Sequence, residues 1–221
     1  IGGDKINVNL LVKPGSSPAV YTPDTSQILA LGRSKAFFTI GVAFEEQFLK
    51  RIINEMKNLK IVPTYKNIKR YQIEDHHHED DEGHEEENTN NNQSNSDMNF
   101  PDPHIWMDPL NAIEISKVFK TILIQDDPEN KEYYEKNYDN LEKELKNLDK
   151  YIHEKLDKHA GKSFFIYHPS LGYFAREYNL NQIAFEIGGK EPSSAQIVEM
   201  INEANEHEIK KWNSLILANP D

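Results

Sequence analysis

No cysteine occurs anywhere in the 221 residues. That excludes a disulfide framework, thiolate metal sites and cysteine nucleophiles, and it leaves any transition-metal site to imidazole and carboxylate donors. No apolar run of about 18 residues is present, so nothing in the sequence reads as a membrane span. Positive charge is missing from one long window: residues 71–116 carry 13 Asp and Glu and no Lys or Arg. The remaining 24 acidic residues face 25 basic ones, so the net charge of −12 belongs to that window and not to the whole chain. With no basic face to meet phosphates, nucleic acid is excluded as a partner. The phosphate-loop, dinucleotide, nucleophile-elbow and paired-histidine protease motifs are all missing too. No signal peptide is visible, and the start IGGDKINV reads as a processed or trimmed N-terminus.

What the acidic window does contain is histidine. It opens EDHHHEDDEGHEEE, passes through NTNNNQSNSD and closes on FPDPHIWMDP. His76, His77, His78 and His84 are nitrogen donors among carboxylates that raise the local cation concentration, which makes this run an auxiliary metal-binding loop. A solubilising acidic loop is the plainer alternative. Residues 66–99 lack apolar periodicity and are expected as a surface excursion.

Around this loop the pattern alternates. Residues 6–12 (INVNLLV), 36–41 (AFFTIG) and 59–62 (LKIV) read as strands, with helices at 25–32 and 44–56 between them. That order predicts an α/β lobe with a parallel sheet flanked by helices. Asp108-Pro109 caps a helix to about residue 124. The next helix, residues 129–159, carries an apolar stripe of Leu141, Leu145, Leu148, Ile152 and Leu156. At roughly 45 Å it is longer than one small lobe needs, and it reads as a spine joining two lobes. A second α/β lobe follows, with strands at 163–168, 182–187 and 214–218 and helices at 171–178 and 195–206. It stops after about three strands and is expected to be incomplete. The resulting division is 1–125, 126–160 and 161–221.

Two histidines stand where a ligand would be held. His104 follows Asp102-Pro103 in a turn rigidified by two prolines, with Asp102 or Asp108 available to hold its second ring nitrogen. His168 ends a strand before Pro169, and the carboxyl ends of parallel strands are where α/β sheets collect ligands. Spacing alone leaves an ordinary turn histidine as an equal reading at each position. His153, His159 and His207 fall on charged helical faces and read as surface histidines.

Four stretches taken together resemble a known family: PGSSPAVYTP after the first strand, DPHIWMDP after the His-rich loop, the long helix, and YHPSLGYFAREYNL followed by EIGGKEPSSAQI. They are similar to the zinc/manganese-specific substrate-binding proteins of ABC importers, the group typified by periplasmic zinc-uptake proteins, and the similarity spans nearly the whole chain. The resemblance implies two lobes on a rigid helix, one metal in the cleft and delivery to a membrane permease. It implies a monomer in the periplasm or on the cell surface, touching the membrane only through the permease or an N-terminal anchor. His104 and His168 match two of the family's four usual ligands. A histidine at 168 resembles the zinc-type members, whereas manganese-type members carry glutamate, so Zn2+ is expected over Mn2+. Ala19 stands where the family has a third histidine, and the family's C-terminal acidic ligand has no counterpart after Asp221. Water, a loop histidine or Asp221 could fill the deficit. Ala19 also favours an alternative: a metal-dependent adhesin, or a loop-based metal collector with a degenerate cleft. Neither reading makes or breaks a bond, so no enzyme is expected.

Overall fold

The computed structural model describes residues 1–16, 21–52, 54–73, 101–186 and 198. Among these the chain is α/β, as the sequence predicts, with two small parallel sheets and helices around them. In the first half α1 (Thr25–Gly32), β1 (Ala36–Thr39), α2 (Ala43–Ile52) and β2 (Lys60–Pro63) follow in order. β1 and β2 pair in parallel from Ala36↔Lys60 to Thr39↔Pro63. Asp24 begins α1 as a reciprocal cap: its carboxylate accepts from the Gln27 backbone N–H, and the Gln27 side chain accepts from the Asp24 N–H. At the exit of β1, Glu45 of α2 accepts from the backbone N–H groups of Ile40, Gly41 and Val42. Burial pushes that carboxyl above its ordinary range.

The expected strand at 6–12 does not form. Val8 and Leu10 are 73% and 66% exposed, and among the described residues no neighbouring strand offers this segment a ladder. Its β-branched composition is overridden by missing partners. Leu11 instead packs on the Leu31–Phe48–Ile52 cluster, and its carbonyl accepts from Gln27 Nε2 at 2.6 Å. The predicted excursion also begins later than its composition implied. Ile68 is buried, and Gln72 bridges antiparallel to Pro101, so this stretch is anchored to the fold at those positions.

α3 (Pro109–Asp126) and α4 (Lys131–Leu156) make up the middle of the chain. Asp108 caps α3 through the Leu110 N–H, with proline at the first helical position. The 26 residues of α4 span about 39 Å, and short 3-10 turns extend it at both ends. Tyr134 and Tyr138 are its fully buried residues; of the apolar stripe, Leu141, Leu145, Ile152 and Leu156 are half-buried, while Leu148 is 46% exposed. Tyr134 donates to Asp127 at 2.6 Å, tying the helix to its own entry turn.

β3 (Ser163–Ile166), α5 (Gly172–Glu177) and β4 (Asn181–Ala184) complete the described fold. β3 and β4 pair in parallel, ending at Ile166↔Ala184. A core cluster of Ile68, Ile105, Ile115 and Tyr173 joins segments on either side of α4, since Tyr173 belongs to α5 and the others precede α4. The expected strand at 214–218 lies outside the described residues, as does the helix at 195–206 apart from Val198.

Candidate metal centre

His104 is placed by what stands on either side of it. Ile105, fully buried, pins the 3-10 turn Ile105–Met107 into the core. Asp102, 2% exposed, accepts from both the His104 backbone N–H at 2.9 Å and the ring Nδ1 at 2.7 Å. Arg70 grips the same loop, its guanidinium donating to the carbonyls of Ile40, Gly41, Pro101 and Asp102. Tyr173 donates to the Asp102 carbonyl from the other side. Gly172 makes the approach sterically feasible: a Cβ there would stand 2.7 Å from Asp102 Oδ2. Trp106 lies beside the site, edge-on to His104 at 5.5 Å and 42% exposed.

His168 is placed by the second sheet. It lies two residues past the end of β3, and Glu186 lies two residues past the end of its parallel partner β4. The ladder continues one step further, with the Glu186 N–H donating to Tyr167 O at 2.8 Å. His168 Nδ1 therefore meets Glu186 Oε2 at 3.0 Å.

The two imidazoles converge, with Nε2 of His104 and Nε2 of His168 3.2 Å apart. Ionised carboxylates can only accept, so each neutral ring carries its proton on Nδ1 and turns a lone pair inward from Nε2. Two lone pairs at this distance repel unless a cation or a shared proton lies between them. Donor atoms bound at 2.0–2.1 Å to a tetrahedral zinc ion are about 3.3 Å apart, which matches the gap. A carboxylate on the far ring nitrogen is the usual support of a metal-bound histidine. Of the two acids foreseen for His104, Asp102 is in place, whereas Asp108 caps α3 and is raised in pKa by burial. Glu186 was not foreseen. Its signal was available in the parallel register, which makes residues just beyond paired strand ends neighbours. His76, His77, His78, His84, Ala19 and Asp221 lie outside the described residues.

His153, expected as an ordinary surface histidine, is not an isolated one. Its Nδ1 meets Asp157 Oδ1 at 2.8 Å, and its Nε2 faces Asp149 and Glu177 at 3.8 and 3.9 Å. The Asp157 bond, before any other influence, holds its pKa above the ordinary histidine range.

The chain is similar to known proteins over most of its length. Residues 1–212 match the family model described as "Zinc-uptake complex component A periplasmic". The high-affinity zinc uptake system protein ZnuA of Bacillus subtilis is 37% identical over 113 residues, covering 49% of this chain and 35% of that protein. The zinc-binding lipoprotein AdcA of Streptococcus pneumoniae (strain R6) is 27% identical over 213 residues, covering 95% of this chain and 40% of its own length. The match thus covers well under half the length of each of these two relatives. A crystal structure of ZnuA superposes with a TM-score of 0.76 at 28% identity, covering 94% of this chain and 72% of that one.

Proposed function

We propose a metal-capture role on one premise: this chain belongs to the family of periplasmic zinc-uptake complex component A. The family consists of metal-binding solute-binding proteins, not enzymes. In our reading the cargo is Zn2+, gripped by His104 and His168, and the protein hands it to the permease of an ABC importer outside the cytoplasm. No helix among the described residues is long and apolar enough to cross a membrane. Residues 1–125 and 161–221 would form the two jaws and 126–160 the spine. The loop histidines His76, His77, His78 and His84 would collect cations at its edge.

The observation that carries this reading is the 3.2 Å approach of two Nε2 atoms whose opposite ring nitrogens are both held by carboxylates. A shared proton would satisfy the gap but would need no second carboxylate. Imidazole donors favour zinc over manganese, and both relatives named above carry zinc in their names. Ala19 favours the second reading, a loop-based collector or metal-dependent adhesin with a degenerate cleft.

Zinc titration by calorimetry separates the two. The proteins to compare are this chain, the chain without residues 74–97, and the His104→Ala/His168→Ala variant. We expect the loop deletion to keep one tight site and the double variant to lose it. Loss of all tight binding with the loop would overturn the cleft reading in favour of the collector.

A further inference from the structure

The carboxylates around His153 form a constellation separate from the cleft. Asp149 and His153 are four residues apart on α4, so they share one face of the spine. Glu177 reaches them from the end of α5. One ligand atom from each of the three lies within 4.8 Å of the others. The donors come from two different helices, and all three are partly buried.

We infer that Asp149, His153 and Glu177 bind a second divalent cation of the zinc class, which clamps the spine helix to α5. Three features of the geometry carry this. First, Asp157 accepts from Nδ1 of His153, so that in the neutral ring, the form a metal binds, Nε2 is the lone-pair donor facing Asp149 and Glu177. This is the same orientation device that acts on His104 and His168. Second, Asp149 is itself oriented: Tyr178, 2% exposed, donates to its Oδ1 at 3.1 Å and stacks edge-on against His153 at 5.0 Å. Third, the separations leave room for an ion. Nε2 stands 3.8 and 3.9 Å from the two carboxylate oxygens, beyond hydrogen-bond length and only slightly wider than the roughly 3.3 Å spacing of donors on a tetrahedral ion. An imidazolium gripping these acids would close to direct hydrogen bonds. The charge also calls for a cation, because Asp149, Asp157 and Glu177 surround a single imidazole. One imidazole with carboxylates suits zinc and its neighbours better than calcium or magnesium, which take oxygen alone.

The test follows the histidine rings directly. The full chain, labelled with 15N-histidine, is titrated with ZnCl2 and read by long-range 1H–15N correlation, with His153→Gln assigning the signal. We expect the His153 Nε2 resonance to move to the coordinated range while Nδ1 keeps its proton. The same movement is expected in the His104→Ala/His168→Ala background, so this inference and the cleft reading fail separately. Asp157→Asn is expected to weaken the His153 response by roughly 10–100-fold and to let the free ring populate the other tautomer. Asp149→Asn/Glu177→Gln is expected to abolish the response. His153 signals that stay unmoved while the other histidines saturate would overturn the proposal. The wild-type titration alone can produce that result, even if a variant fails to fold.

Discussion

At the residue scale, the centre depends on second nitrogens as much as on first ones. Asp102 and Glu186 fix which face of each imidazole is turned inward. Asp102→Asn and Glu186→Gln are each expected to lower zinc affinity by about 10–100-fold while the fold is kept, as measured by calorimetry and circular dichroism. Gly172→Ala should act through Asp102: its new Cβ would stand 2.7 Å from Oδ2, so the carboxylate must swing and release His104. Zinc affinity should fall in that variant although residue 172 touches no metal, and unchanged affinity would contradict this account. Prolines and a strand end singled out His104 and His168 in the sequence, although spacing alone left an ordinary turn histidine as an equal reading; the structure brings the two rings together. Glu186 was not singled out, because its role depends on which strands pair. Nor was the cluster at His153, although the i,i+4 spacing to Asp149 was in view; Glu177 joins it only through the packing of α5.

At the scale of elements, the short turn at Ile105–Met107 is the fulcrum. Ile105 is fully buried among Ile68, Ile115 and Tyr173. Ile105→Ala is expected to cost about 2–5 kcal/mol in urea denaturation, because the site is closed on all sides and collapses poorly. The entry to α4 gives a pH prediction. The Tyr134 hydroxyl, followed by Asn130, holds the Asp127 carboxyl below its ordinary value, while burial before other causes pushes Tyr134 up to about 12. A carboxyl depressed in the folded state binds protons more readily once unfolded, so its stabilisation is full above about pH 4 and fades as pH falls through the folded value. Tyr134→Phe should therefore lower the thermal midpoint at pH 7 by more than it does near pH 3. The helices were legible from caps and periodicity. The strand expected at 6–12 was not a strand, since apolar alternation cannot say whether a neighbour exists. The apolar stripe of α4 was legible as a half-buried face, Leu148 excepted, but the deeper burial of Tyr134 and Tyr138 was not.

At the scale of the whole molecule, composition and architecture divide the work. Residues 71–116 hold 13 of the acidic charges, and the rest of the chain is near neutral. Zinc association should be faster at low ionic strength, and that dependence should flatten when residues 74–97 are removed, as read by stopped-flow mixing across a salt series. The α/β class and the two parallel sheets were readable from element order. The way α5 reaches across to Ile68 and Ile105 was not, because it is a tertiary contact between residues far apart in the sequence. That contact, through Tyr173, sets His104 opposite His168. The central claim is that these two imidazoles share one metal ion, and anomalous X-ray diffraction at the zinc edge tests it on crystals grown with zinc. The account predicts a peak about 2.0–2.1 Å from both Nε2 atoms. Anomalous density elsewhere on the chain with none between His104 and His168 would contradict it.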